Sequence, residues 1–243
     1  MVYLLYGLAG LGGLALFYCL LLAVSALLVD PKKQYDRPSP YYRFLLNSAT
    51  ALAMKVLRVK ILATGLDRVP KEGRFLLVSN HRSNFDPLVT WHMLPDRDLA
   101  FISKEENFHI PVFGRIIRRC CFMPIDRENP RNALLTVRRA AELIRADRVS
   151  VAVYPEGTRS KECVLLPFRN GVFKIAQQAE VPLVAVCVRG TEQIHRRYIR
   201  HATRVYLDVV EVIPPEELAG VRTAMIGERV RDALATVLEE DKP

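Results

Sequence analysis

The stretch Ser79-Asn80-His81-Arg82-Ser83-Asn84-Phe85-Asp86-Pro87 places an aspartate five residues after a histidine, a pairing that can move a proton. An imidazole takes up and releases a proton near neutral pH. A carboxylate that reaches back across a turning loop holds one ring nitrogen and leaves the other free as a base. The same residues also admit a structural reading, in which Asp86 caps a helix and Pro87 takes its first position. The two readings are compatible, because a capped helix also holds the carboxylate still.

Two further places carry groups suited to an anionic ligand. In Tyr154-Pro155-Glu156-Gly157-Thr158-Arg159-Ser160, the proline ends a strand and the glycine lets a ligand approach the backbone. Arg159 can fork two hydrogen bonds to phosphate oxygens. The plain alternative is a turn with a surface Glu156–Arg159 pair that contributes little. Arg127, after Ile125-Asp126, is open to the same two readings, phosphate clamp or solvated charge. Cys120 and Cys121 follow Arg118-Arg119, and cationic neighbours can activate a thiol. Their apolar setting, Cys120-Cys121-Phe122-Met123, favours core packing instead. The five cysteines are odd in number, lack C-x-x-C spacing and do not cluster with histidines, so no metal site is expected and a reducing compartment is.

The elements that must position these groups read as an α/β pattern. Strands are expected at 75–79, 99–102, 149–154, 183–188 and 203–213. Helices are expected at 88–94, 111–119, 132–146, 172–180 and 215–238. The alternation predicts a central, mostly parallel sheet flanked by helices. On the 132–146 helix, Arg131, Arg138 and Arg145 recur every seven residues opposite Leu134, Val137, Ala141 and Ile144. That stripe reads as a solvated face, or as a surface for anionic lipid or a phosphorylated ligand.

Ahead of this pattern lies a different kind of chain. Met1 to Val29 carries no charge and is dominated by leucine, which is long enough to cross a bilayer. No basic residue precedes it and it exceeds the core of a secretory signal, so a retained membrane helix is expected. Lys32, Lys33, Arg37 and Arg43 behind it place the C-terminal domain in the cytoplasm if the helix crosses. Residues 42–62 read as an amphipathic helix, either lying among headgroups or packed on the core. The domain division is therefore 1–62, a membrane helix, basic hinge and amphipathic helix, and 63–243, a catalytic α/β domain. The net charge of +9 suits an anionic membrane or a phosphorylated ligand. A nucleic-acid binder would leave the apolar N-terminus unexplained, and no such motif is visible.

In order along the chain, these motifs resemble the glycerolipid acyltransferase family. Asn80-His81-Arg82-Ser83-x-x-Asp86-Pro87 is similar to its His-x4-Asp box, in the 1-acylglycerol-3-phosphate (lysophosphatidic acid) acyltransferase branch. Lys104-Glu105, Pro111, Gly114 and Ile125-Asp126-Arg127 resemble the second block, and Tyr154 to Ser160 the third, followed by Phe168-Arg169-Asn170-Gly171. Val181-Pro182-Leu183-Val184-Ala185-Val186 resembles the fourth, with Ala185 where many members carry a second proline. Glu106 likewise stands where an apolar residue is usual.

The resemblance implies an α/β catalytic domain behind an N-terminal membrane-associating helical pair. It implies transfer of a fatty acyl group from a thioester to the sn-2 hydroxyl of lysophosphatidic acid, with His81 as base and Asp86 as its partner. Arg127, Glu156, Gly157, Thr158 and Arg159 are implied to hold the glycerophosphate, with Arg115 and Arg169 as further candidates. No tightly bound cofactor is implied; acyl-coenzyme A or acyl-acyl carrier protein is the donor, and the partners are the two substrates, the bilayer and, with the second donor, the carrier protein. Another lysophospholipid or an aminolipid as acceptor, and a membrane-tethered lipid-binding protein without catalysis, remain as alternatives.

Overall fold

The computed structural model describes residues 2–197 and 201–240. Met1, the first residue of the expected apolar segment, and the last three residues of the expected catalytic domain lie outside them. The strands are β1 (Val59–Thr64), β2 (Leu76–Ser79), β3 (Leu99–Lys104), β4 (Met123–Ile125), β5 (Ser150–Val153), β6 (Leu183–Arg189) and β7 (Thr203–Ile213). Among the described residues they form one sheet in the order β1-β7-β6-β2-β5-β3-β4. Neighbours run parallel except β6 and β7, which are antiparallel. The helices are α1 (Val2–Leu27), α2 (Pro40–Val56), α3 (Asp86–Met93), α4 (Phe113–Arg119), α5 (Pro130–Arg145), α6 (Lys174–Ala179), α7 (Ile194–Arg197), α8 (Pro215–Leu218) and α9 (Thr223–Glu240).

Strands β2 and β5 are buried at every position and β6 at all but its last, which is why they read as continuous apolar runs rather than alternating ones. Val137 of α5, Ile175 of α6 and Val230 and Leu234 of α9 cover one face of the sheet. Leu45 of α2, Trp91 of α3 and Ile117 of α4 cover the other. The expected mostly parallel sheet with helices on both faces is present.

The helix expected over 42–62 ends at Val56, and its last residues belong to β1, which begins before the anticipated domain boundary. Arg58 turns the chain with φ at +54°, a left-handed conformation that breaks the helix without a glycine or proline to announce it. The helix expected over 215–238 is two helices, parted by Gly220 at φ +72°. Strand β4 pairs with β3 within a run that reads only as apolar core.

Helix α1 is 26 residues long, about 39 Å, against a hydrocarbon layer of about 30 Å. Its most apolar stretch is wholly unburied in the protein, which suits lipid as its surroundings. Its last turns are fixed to α2 through hydroxyls. Tyr18 meets Ser48 at 2.8 Å, Ser25 meets Tyr41 at 2.7 Å, and the Tyr42 hydroxyl donates to the Ser25 carbonyl at 2.8 Å.

Helix α2 packs on the sheet rather than lying free, burying Leu45, Leu46 and Met54, while Phe44, Leu52 and Val56 stay exposed. Arg43 lies inside this contact, pairing with Asp98 at 3.0 Å, donating to the Leu99 carbonyl at 3.0 Å and covering the Trp91 ring. Arg43 is therefore not among the juxtamembrane surface charges, contrary to the expectation from sequence. Lys32, Lys33 and Arg37 remain.

Candidate active site

Strands β2, β5, β3 and β6 end side by side, and the loops at their carboxyl ends carry the chemistry, as is general for open α/β sheets. Asn80 closes the end of β2 by acting as an extra strand residue. Its side-chain amide donates to the Val188 carbonyl and accepts from the Val188 N–H, both at 2.8 Å, tying the His81 loop to β6.

His81 and Asp86 meet. The Nδ1 of His81 lies 2.8 Å from Oδ2 of Asp86, and since an ionised carboxylate only accepts, Nδ1 donates and Nε2 is left as the basic nitrogen. Asp86 does not cap its helix. The position preceding α3 is Phe85, which makes no side-chain cap bond. The carboxylate of Asp86 instead turns back into the loop and accepts from the backbone N–H groups of Arg82 at 2.7 Å and Ser83 at 2.8 Å. Its Oδ1 accepts from the Thr191 hydroxyl. Both Asp86 and Thr191 are fully buried. This constellation rules out the cap, orients the imidazole and leaves Nε2 free, the geometry that a general base requires.

Glu156 is almost completely buried and faces inward. One oxygen accepts from the His81 N–H at 2.7 Å and the other from the Leu166 N–H at 3.0 Å. Burial pushes its carboxyl above the ordinary range, against the opposing pull of these two backbone bonds and of His81. Expected to hold glycerophosphate, Glu156 thus has both oxygens committed to the backbone, and an anionic side chain is poorly matched to phosphate in any case. The geometry makes it a brace between the β2 and β5 loops, reinforced by the Ser160 N–H donating to the His81 carbonyl at 2.8 Å.

A cavity of about 340 Å³ opens at the end of β5, with Tyr154, Pro155 and Gly157 in its wall and neither His81 nor Asp86 among its lining residues. Ile102, Ile125, Val137 and Val153 furnish apolar wall, and Arg127, Arg169 and Lys174 supply positive charge. Arg127 is held by a turn in which Asp126 accepts from the N–H groups of Glu128 and Asn129 and from the Asn132 side chain. Burial and the nearby Arg169 guanidinium lower the Arg127 pKa from its ordinary value, while Glu106 pulls the other way. Two guanidinium groups brought together in a partly dry cavity are a setting for an anion. Arg169 also donates to the Arg127 carbonyl at 2.9 Å. Gly157 has φ +70°, and a Cβ there would lie 2.8 Å from Arg169 Nε, so the glycine makes room for that side chain.

The structure brings His81, Asp86 and Glu156 into one hydrogen-bonded cluster, and gathers Gly157, Arg127 and Arg169 around the cavity at the end of β5. Thr158 and Arg159 are exposed and do not line the cavity, since the chain turns outward after Gly157. Arg115 faces another cavity, at the foot of α1, and donates to the Ala26 carbonyl at 3.3 Å. Arg131, Arg138 and Arg145 are exposed on α5. The paired thiols are unsuited to nucleophilic work: Cys120 and Cys121 are buried, and desolvation pushes both up to about 12. Thr191 and the bridging role of Asn80 were missed from sequence, because their contacts are 105 and 108 residues away.

Known proteins resemble this chain over most of its length. The chain is 28% identical over 201 residues to 1-acyl-sn-glycerol-3-phosphate acyltransferase alpha of Mus musculus, covering 77% of this chain and 70% of that one. It is 31% identical over 148 residues to the 1-acyl-sn-glycerol-3-phosphate acyltransferase of Escherichia coli K12, covering 60% and 58%. The crystal structure of the 1-acyl-sn-glycerophosphate acyltransferase from Thermotoga maritima superimposes with a TM-score of 0.69 at 25% identity, covering 92% of this chain and 88% of that one. The Acyltransferase family profile matches residues 60–189, from β1 through β6 and including the whole His81 to Gly157 constellation. That match spans more than half of the 243 residues, and the chain belongs to the Acyltransferase family.

Proposed function

We propose that this enzyme transfers a fatty acyl group from an acyl thioester to the sn-2 hydroxyl of lysophosphatidic acid, giving phosphatidic acid. The observation that carries the reading is the His81–Asp86 pair, linked through the stacked Tyr154 to a cavity with apolar walls and two arginines. An amphiphile with a phosphate head fits such a cavity, and the names of the relatives specify the same acceptor.

In this mechanism Nε2 of His81 takes the proton of the acceptor hydroxyl as its oxygen bonds to the thioester carbonyl carbon. The carbon–sulfur bond then breaks, and the departing thiolate takes the proton back from the imidazolium. Asp86 stabilises that imidazolium, and its four donors keep the carboxylate oriented. A positioned base supplies about 10²- to 10⁴-fold, and positioning of the two substrates supplies much of the rest. Arg127 and Arg169 hold the phosphate, with Arg159, outside the cavity lining, at the margin. Thr158 shares that exposed turn, whereas Gly157 acts by making room for Arg169.

The donor carrier is coenzyme A, with acyl carrier protein as the second candidate, and no tightly bound cofactor takes part. Helix α1 holds the enzyme at the membrane where both lipids reside. Lys32, Lys33 and Arg37 behind it set the catalytic domain on the cytoplasmic face. Residues 1–62 serve as the membrane-associating part and 63–243 as the catalytic part, with β1 joining the two.

Acyl transfer from palmitoyl-coenzyme A to lysophosphatidic acid by the purified protein in detergent, beside His81→Ala, tests the reading. Phosphatidic acid from the wild type and none from the variant is the expected result. A His81→Ala enzyme with wild-type turnover overturns the base assignment.

A further inference from the structure

One aromatic side chain at the site neither carries the proton nor holds the phosphate. Tyr154, the residue after β5, lays its ring on the His81 imidazole, with centroids 4.2 Å apart and planes 21° from parallel. Phe101 of β3 lies beyond it, 6.2 Å away and 16° from parallel. Tyr154 is also among the residues that line the cavity at the end of β5. Its hydroxyl is buried near the Thr90 hydroxyl of α3, yet neither group meets a partner in good hydrogen-bond geometry. The ring, in contact with His81, is the part whose role follows from the geometry.

A stacked ring can do two things for a base. It restricts rotation of the imidazole out of the plane that Asp86 sets. It also offers an electron-rich face to the cation that forms when Nε2 gains a proton. Asp86 approaches the imidazole at its Nδ1 edge and Tyr154 at its face, so the developing charge is met from two directions.

We propose that Tyr154 is a positioning residue for the acyl transfer, its ring fixing the His81 imidazole by stacking and stabilising the imidazolium formed in the transition state. The inference rests on His81 being the base. Because the effect belongs to the transition state, loss of the ring lowers kcat and leaves KM for both substrates nearly unchanged.

The test compares Tyr154→Phe, Tyr154→Leu and pentafluorophenylalanine placed at position 154, each assayed with palmitoyl-coenzyme A and lysophosphatidic acid and each checked by thermal unfolding. Tyr154→Phe is expected to keep kcat, since it retains the ring and loses only a poorly paired hydroxyl. Tyr154→Leu is expected to lower kcat about tenfold. The fluorinated ring keeps the aromatic shape but reverses the charge of the face, so it is decisive even if Tyr154→Leu does not fold. It is expected to lower kcat about threefold to tenfold relative to Tyr154→Phe. Equal kcat for the fluorinated and plain rings overturns the proposal, as does a Tyr154→Phe enzyme as slow as the fluorinated one. An active His81→Ala enzyme removes the base assignment and this inference with it. An inactive His81→Ala enzyme beside an indifferent fluorinated one removes this inference alone.

Discussion

Asp86→Asn removes a charge while keeping a shape, and the structure makes its consequence calculable. Three donors converge on Oδ2 of Asp86: His81 Nδ1 at 2.8 Å, the Arg82 N–H at 2.7 Å and the Ser83 N–H at 2.8 Å. Only the Thr191 hydroxyl meets Oδ1. An asparagine must place its amide oxygen toward the three donors, because two of them are backbone groups that cannot turn. Its NH₂ then faces Thr191, whose hydroxyl can rotate to accept. The imidazole keeps its tautomer and its orientation, and what is lost is the carboxylate's charge.

An ion pair with about 4 Å between charge centres is worth about 4 kcal/mol at an effective dielectric constant of about 20. The amide dipole retains part of this, leaving a loss of about 3 kcal/mol in the transition state, or about 10²-fold in kcat. The resting enzyme, with a neutral imidazole, loses less. Weaker hydrogen bonds cost about 1–2 kcal/mol, offset in part because an amide is easier to bury than a carboxylate. The melting temperature should fall by roughly 2–6 °C. The assay is phosphatidic acid formation over a range of both substrates, with thermal unfolding on the same preparation. A folded Asp86→Asn enzyme within about threefold of wild-type kcat would show that the charge has no part in the step. A folded enzyme slower by about 10⁴-fold or more would refute the orientation argument instead, since only a turned ring accounts for so large a loss.

The same geometry carries two other expected outcomes. Arg127→Ala and Arg169→Ala should each raise KM for lysophosphatidic acid by about tenfold or more, with a smaller change in kcat, and Arg159→Ala should do less because it does not line the cavity; steady-state kinetics of the three variants decides the order. Replacing Cys120 and Cys121 together by alanine should leave the pH dependence of acyl transfer unaltered. In the folded wild type these thiols sit at about 12 against an ordinary 9.0, so the fold favours the protonated form. Their contribution to stability is complete below the ordinary value and is lost as pH rises toward 12. Unfolding measured between pH 9 and 12 should therefore decline more steeply for wild type than for the double variant.

The parts of the site that lie close together in sequence were legible, and those assembled across the sheet were not. His81 and Asp86 share one loop, so their spacing alone suggested a hydrogen bond, whereas Thr191 reaches Asp86 from the far end of β6. The same limit applied to Glu156. Its place in the third block marked it as functional, but the direction of its carboxylate depends on the His81 and Leu166 N–H groups, which only the fold supplies. Buried strands β2, β5 and β6 announced themselves because both faces are covered and apolar residues run on without a break. Strand β1 hid because the apolar pattern of α2 continues through Leu57 into Ile61, and the residue that reverses the chain is an arginine. A sequence period cannot register a left-handed turn made by a residue that ordinarily avoids it.

That hidden strand bears on how the membrane part and the catalytic part are joined. Helix α2 is apolar on two sides: Leu45, Leu46 and Met54 face the sheet while Phe44, Leu52 and Val56 face outward. The two sequence readings of this helix, among headgroups or on the core, rested on one apolar periodicity, and the structure gives it an apolar face on each side. Arg43 decides which face is anchored, because a guanidinium paired with Asp98 and covered by Trp91 cannot leave the protein without abandoning a buried charge partner. Immediately after α2, β1 enters the sheet by pairing along its length with β7. A force on α1 is therefore passed through the Tyr18–Ser48 and Ser25–Tyr41 contacts to α2, and from α2 into the sheet whose carboxyl ends carry His81. The dyad is held in a fixed relation to the membrane helix by packed elements rather than by a flexible linker, which suits a reaction whose acceptor is a lipid.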